Sequence, residues 1–207
     1  DVCSSDLPTL KFRATRDARK VCGDAMEMRG GIGYIEEFVT PRLLRDAHLG
    51  SIWEGTGNIV AIDALKRAVG RHGADNALAA DLHARLDDSP NVPQAWRNRL
   101  RELSDRAIGF AREVAGRIDN EGDARRATSL LYHVASAVAL AWEGGRIHEM
   151  RGDARRLLLS RMVVDHRVMP GDPFRLAENT VQRRMTEHLL GDRAIGMAEV
   201  GELLVAA

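Results

Sequence analysis

The sequence predicts an all-α protein, with a first helical segment ending near residue 71 and a second, up-and-down helical bundle behind it. Three observations carry this. Apolar residues recur at three- and four-residue spacing through most of the chain, as one-faced helices require. Aromatic residues make up only 4% of the 207 residues, and β-branched runs are short, so the residues that strands favour are scarce. Clusters of Gly, Pro and Asp interrupt the periodic stretches where short helix–helix connections would fall.

Residues 1–10 are expected to be unstructured or foreign to the fold, since the first seven have no periodicity. The chain does not begin with Met and reads as a fragment. A helix is expected over 11–29, where Phe12, Ala18, Cys22, Ala25 and Met26 recur between charges. Gly30-Gly31-Ile32-Gly33 ends it, because glycine readily takes the backbone conformation just past a helix. Pro41 suits the first position of a short helix over 41–49, where its missing N–H does no harm. A turn-rich link over 51–57 leads to a helix over 58–71, with Ile59, Ile62, Leu65 and Val69 on one face.

After the glycines at 70 and 73 the composition changes. Further helices are expected over 74–86, 93–118, 124–150, 154–168 and 173–190, followed by a short apolar tail to Ala207. In the helix over 124–150, Leu131, Val134, Val138 and Trp142 form a stripe. The expected domains are therefore residues 11–71 and a helical extension over 72–207.

Bulk properties narrow the function. The 44% hydrophobic content suffices for one large or two small cores. The 30 Lys and Arg balance the 30 Asp and Glu, which argues against wholesale binding of nucleic acid or an anionic membrane. Two cysteines build neither a disulfide framework nor a metal knuckle. No apolar run reaches the roughly 20 residues that span a bilayer, and the amino terminus lacks a signal-peptide layout. A cytoplasmic protein with no membrane partner is expected. A di-iron bundle needs Glu-x-x-His pairs, and none occurs; the seven histidines are scattered, so no metal site is expected.

The residues with chemistry concentrate between Met28 and Asp63. Gly30, Gly31 and Gly33 let a backbone approach another group closely. Arg45 and Asp46 offer a charge pair. Glu54 follows Ile52 and Trp53, so its carboxylate is expected against an apolar wall that would raise its proton affinity. Thr56, Gly57 and Asn58 open a helix. The glycine run also reads as a plain helix stop, and Glu54 as a cap or a solvated acid. By themselves these residues support a ligand-binding turn with one candidate base.

Their order and spacing add more. Gly-Gly-x-Gly-Tyr, then Glu-Glu, then Arg-x-x-Arg-Asp-Ala, then Ile-Trp-Glu-Gly-Thr-x-Asn-Ile resembles the carboxy-terminal signature of the acyl-CoA dehydrogenase family, over about residues 13–70. The resemblance implies the end of that family's carboxy-terminal helical bundle, an FAD cofactor, an acyl-CoA thioester substrate and α,β-dehydrogenation. It assigns Glu54, within Trp53-Glu54-Gly55-Thr56, as the general base. It assigns Gly30, Gly31 and Gly33 as backbone contacts to the FAD of a neighbouring subunit in a homodimer or homotetramer, and Thr56 and Asn58 as further FAD contacts. The family's other domains hold much of the flavin and acyl-CoA site, so the fragment alone is expected to be inactive.

Three departures stand out: Glu27 and Asn58 where many members have Gln, and Trp53 where many have Tyr. With the helical extension, they resemble the branch typified by the adaptive alkylation-response flavoprotein. That branch implies an alternative function, DNA binding through the extension beside a weak or vestigial dehydrogenase site. From Arg71 onward, however, 20 Arg face 20 Asp and Glu with no Lys, whereas phosphate binding usually needs a basic surplus. The clusters Arg97/Arg99/Arg101, Arg125-Arg126, Arg155-Arg156 and Arg183-Arg184 have acids close by, which reads as a salt-bridged, solvated face.

Overall fold

A computed structural model describes residues 3–117, 121–172, 174 and 180–206, and among these there are helices and no strands. The helices are α1 (Cys3–Met28), α2 (Gly31–Tyr34), α3 (Thr40–Gly50), α4 (Gly57–Asp63), α5 (Ala74–Asp87), α6 (Gln94–Gly116), α7 (Glu121–Arg151), α8 (Arg155–Val163), α9 (Thr180–Leu190) and α10 (Met197–Val205). Two wider π-helical stretches, Ala64–Arg71 and Val164–Val168, continue α4 and α8. The expected helices recur within a few residues of their expected ends, except that α1 begins eight residues before its expected start and α9 is described only from Thr180. Ile118 and Pro173 lie outside the described residues.

Four features differ from the sequence reading. The stretch expected to be unstructured or foreign is helical from Cys3, and α1 passes through Pro8 without a break. The apolar tail contains α10, whose Val200, Leu203 and Leu204 are buried. The glycine run after α1 forms a one-turn helix of its own. Ile59, placed on the buried face, is 61% exposed; the buried set is Val60, Ala61, Ala64, Leu65, Ala68 and Val69. That set steps through four-residue intervals in adjacent pairs, one position round from the expected stripe.

The chain divides into two compact units, Asp1–Leu78 with Phe110–Tyr132, and Ala79–Gly109 with His133–Ala207. The expected division at residue 71 does not coincide with this one, because α6 and α7 each run through both units.

In the first unit α1 packs on α3, α4 and the π-helical stretch after α4. Phe12 is buried, whereas Ala18, Cys22, Ala25 and Met26 are half-buried or exposed. Glycines allow the close approach: a Cβ at Gly50 would lie 3.1 Å from Thr15 Cγ2, and one at Gly57 would lie 3.2 Å from Arg16 Nη1. Ala111, Val114, Ala124, Ala127 and Leu131 add to this unit's core, and Thr128 donates to the Ala61 carbonyl at 3.4 Å.

The second unit has Leu82, Leu86, Trp96, Leu100, Val134, Val138, Leu157 and Leu158 at its centre. One buried polar chain crosses it: Trp96 Nε1 donates to Ser160 Oγ at 3.2 Å, and Ser160 Oγ donates to the Ala137 carbonyl at 2.7 Å. Both side chains are therefore satisfied in an apolar setting. Gly144 and Gly145 let α7 pass close to Leu157 and Asn91.

Candidate functional site

The residues singled out from sequence fall in the first unit, on three consecutive pieces of chain. These are the α1–α2 turn, the α3–α4 connection and the first turn of α4.

The α3–α4 connection begins where Ser51 closes α3, its N–H bonded to the His48 carbonyl at 3.1 Å. The N–H groups of Ile52 and Trp53 both reach the Leu49 carbonyl at 3.0 Å. The chain then turns sharply. Glu54 has φ 58°, the one positive φ at a non-glycine among the described residues, and Gly55 follows at φ 105°. A left-handed conformation crowds the Cβ of any L side chain, and such strain commonly marks a functional turn. Thr56, in extended conformation, then opens α4 without a hydrogen bond from its side chain to the helix.

The Glu54 side chain is 86% exposed, and Ile52 and Trp53 are 59% and 64% exposed. The apolar wall expected behind the carboxylate is thus not supplied by these neighbours, which project outward with it. What meets the turn is α1. Lys11 Nζ donates to the Trp53 carbonyl and lies 3.5 Å from the Glu54 carboxylate. Two turns further along α1, Arg19 Nη1 donates to Ser51 Oγ at 3.1 Å. Neither Lys11 nor Arg19 was singled out from sequence. They stand 42 and 32 positions from their partners, and only the folded α1 brings them there.

At the α1–α2 turn Gly30 has φ 59°, and both Gly30 and Gly31 are exposed, with nothing within 4 Å of where a Cβ would stand. Gly33 is different. It is buried, a Cβ there would collide with the Met26 carbonyl oxygen, and its N–H is spent on the Gly30 carbonyl at 3.0 Å. Glycine is needed at Gly33 for packing, and Gly30 and Gly31 form an exposed, uncrowded backbone edge on which the Gly30 N–H is already bonded to the Glu27 carbonyl at 2.9 Å. Exposed apolar residues follow, with Ile32 at 55% and Tyr34 at 76%.

Asn58 is exposed and lines an open cavity of about 380 Å³ with Ile62, Gly122 and Arg125. Arg16 stands 5.6 Å from the Phe12 ring centroid. Burial, then Arg125, Arg13 and Arg19 in turn, hold its guanidinium below its usual value, against the pull of Asp17.

The expected Arg45–Asp46 pair is replaced. Arg45 binds Glu36 in a fork, at 2.6 and 3.0 Å, because adjacent helical residues do not face each other. This hydrogen bond, ahead of the Coulomb attraction, holds the Glu36 carboxyl below its ordinary value.

An FAD, were it bound, would meet an open glycine edge at Gly30 and Gly31, a Thr56 hydroxyl not used for capping, and the Asn58 amide beside a cavity. Those groups fit a ligand that mixes planar rings with phosphates.

The arginines of the extension are mostly engaged. Arg99 pairs with Glu102, Arg101 with Asp87, Arg126 with Asp123, Arg156 with Glu143 and Arg183 with Glu187, all within 3.2 Å. Among the described residues, no helix is long and apolar enough to cross a membrane.

Comparison with known proteins bears on this unit. Residues 2–70 match the family model described as acyl-CoA dehydrogenase, C-terminal domain. AidB of Escherichia coli is 46% identical over 59 residues, 28% of this chain and 11% of that protein. Acyl-CoA dehydrogenase family member 11 of Caenorhabditis elegans is 27% identical over 157 residues, 71% of this chain and 24% of that protein. The 3-methylmercaptopropionyl-CoA dehydrogenase of Ruegeria pomeroyi is 38% identical over 71 residues, 34% of this chain and 12% of that protein. The chain thus spans a quarter or less of the length of these relatives. The nematode match is long enough to run well past residue 70. No solved structure matches the chain.

Proposed function

We propose that this chain, whose residues 2–70 match the acyl-CoA dehydrogenase carboxy-terminal domain, is the carboxy-terminal part of an FAD-dependent enzyme that desaturates an acyl-CoA thioester between its α and β carbons. The observation that carries the reading is Glu54. Its carboxylate projects from a strained, left-handed turn, beside exposed apolar side chains and within reach of one ammonium.

In the proposed reaction Glu54 takes the α proton onto a carboxylate oxygen. Bound FAD supplies the acceptor for the β hydride. Gly30 and Gly31 offer backbone contacts to the cofactor, with Gly33 shaping their turn; Thr56 and Asn58 offer a hydroxyl and an amide. An acyl chain and flavin covering Ile52, Trp53 and Glu54 would exclude water from the base.

Glycine contacts on an exposed edge suit a cofactor shared across subunits, so a homo-oligomer is part of the proposal. The chain alone holds one face of such a site and is not expected to turn over substrate. The test is anaerobic addition of acyl-CoA thioesters of graded length to the flavin-loaded full-length enzyme of which this chain is proposed to be the carboxy-terminal part. Bleaching of the visible flavin band by one of them supports the reading; an unchanged spectrum across the series contradicts it.

A further inference from the structure

Five side chains of α1 support the α3–α4 connection and its flanks. Arg19 binds Ser51, Thr15 packs on Gly50, and Arg16 with Phe12 packs on Gly57. These three sets of contacts brace the two ends of the connection. Lys11 reaches its middle, where the backbone is left-handed and the candidate base sits. Its side chain is 25% exposed, against 86% for Glu54, so the better-anchored partner is the lysine.

We propose that Lys11 is the positioning residue of the Trp53–Glu54 turn: its ammonium binds the Trp53 carbonyl and the Glu54 carboxylate together, and so fixes the direction in which the base projects. The role rests on the reading of Glu54 as the base. It follows from the geometry of the two contacts. The carbonyl that accepts from Lys11 belongs to the peptide linking Trp53 to Glu54, so its orientation is tied to the φ of Glu54. A group that holds this carbonyl holds the unfavourable φ as well. The same ammonium, 3.5 Å from the carboxylate, limits the rotamers the carboxylate visits. An exposed ion pair alone stabilises little; one cation bridging a fixed carbonyl and a mobile carboxylate gives direction instead.

The first arm of the test needs only this chain. Hydrogen exchange of the amides over 52–58 is compared in wild type, Lys11→Met, which keeps the aliphatic stem, and Lys11→Arg, which keeps a charged donor. Loss of a charge-assisted bond predicts about tenfold faster exchange in Lys11→Met, with protection elsewhere in α1 unchanged. Lys11→Arg is expected to keep most of the protection. Unchanged exchange in Lys11→Met overturns the proposal.

The second arm uses the flavin-loaded holoenzyme. Lys11→Met is expected to lower kcat by about tenfold or more with KM nearly constant, since only the approach of the base is disturbed. Lys11→Arg is expected to restore most of the loss. If Glu54→Gln abolishes turnover while Lys11→Met leaves kcat intact, the positioning role is wrong. If Glu54→Gln itself leaves turnover intact, the base assignment fails, and with it the positioning role; faster exchange in Lys11→Met would then mark Lys11 only as a structural clasp.

Discussion

The guanidinium of Arg112 binds the carboxylate of Asp75 across 37 positions of sequence, and that carboxylate is only 4% exposed. Arg112 also donates to Asn76 Oδ1 at 2.8 Å, so one arginine of α6 ties down the first turn of α5. A buried carboxylate without its partner is costly. Because Arg112 itself is about half exposed, Arg112→Met is expected to destabilise the chain by about 2 kcal/mol, below the usual range for a fully buried pair. Urea unfolding checks this, and a loss under about 0.5 kcal/mol would remove the pair from the list of supports for the fold.

Gly144 lets α7 pass close to Leu157 of α8. A Cβ there would collide with Leu157 Cδ1 and stand 3.1 Å from the Leu157 backbone nitrogen, and Leu157 is fully buried. Gly144→Ala gains helix propensity but overpacks this contact, so a net loss of about 1–2 kcal/mol is expected. Gly109 has open space around it and is the control: Gly109→Ala should be neutral or stabilising. Equal effects at the two sites would contradict the packing argument.

Asp88 accepts from Trp142 Nε1 at 2.9 Å and from Arg146 Nη2 at 2.5 Å. The Trp142 bond, then the Arg146 bond and its charge, hold its carboxyl below the ordinary 3.8. A depressed folded-state value means the stabilisation is present above the unfolded value and is lost as pH falls through the folded one. The stability difference between wild type and Asp88→Asn should therefore be constant above about pH 5 and shrink only below about pH 4. A difference that varies between pH 6 and 8 would contradict this assignment.

Binding of duplex DNA is the outcome least favoured by the paired arginines of the extension. The chain is expected to leave the anisotropy of a labelled duplex unchanged at low salt. Binding that weakens steeply with added salt, and that falls on neutralising Arg155 and Arg156, would instead support the DNA-binding function implied by the family branch.

The helices α5, α6 and α7 were legible almost to their ends, because Gly73, the Asp87–Pro90 stretch, the polar residues 119–123 and Gly152 punctuate the chain between them. Helical periodicity did not reveal α10, where Val200, Leu203 and Leu204 stand at helical spacing beside Glu199 and Glu202 but nine residues are too few turns for a period to stand out. Nor did it reveal the π-helical stretches, since one extra residue per turn leaves no mark in a short apolar pattern. The candidate site divides in the same way. Gly30, Gly31, Glu54, Thr56 and Asn58 could be named from a local motif. The packing duty of Gly33, the exposure of Glu54 and the contacts of Lys11 and Arg19 depend on which helix lies across the turn, and residues 32 to 42 positions apart carry no local signal of that.

The most direct test of the central claim compares wild type with Glu54→Gln in the flavin-loaded full-length enzyme, with rapid-mixing absorbance of the flavin band after an acyl-CoA thioester that bleaches the wild type. The substitution keeps size and hydrogen-bonding capacity while removing the group that accepts the α proton. The account predicts retained flavin and thioester binding in the variant, with bleaching slowed by about 100-fold or more. Bleaching at the wild-type rate in Glu54→Gln would contradict it, and the base would have to be sought outside this chain's α3–α4 turn.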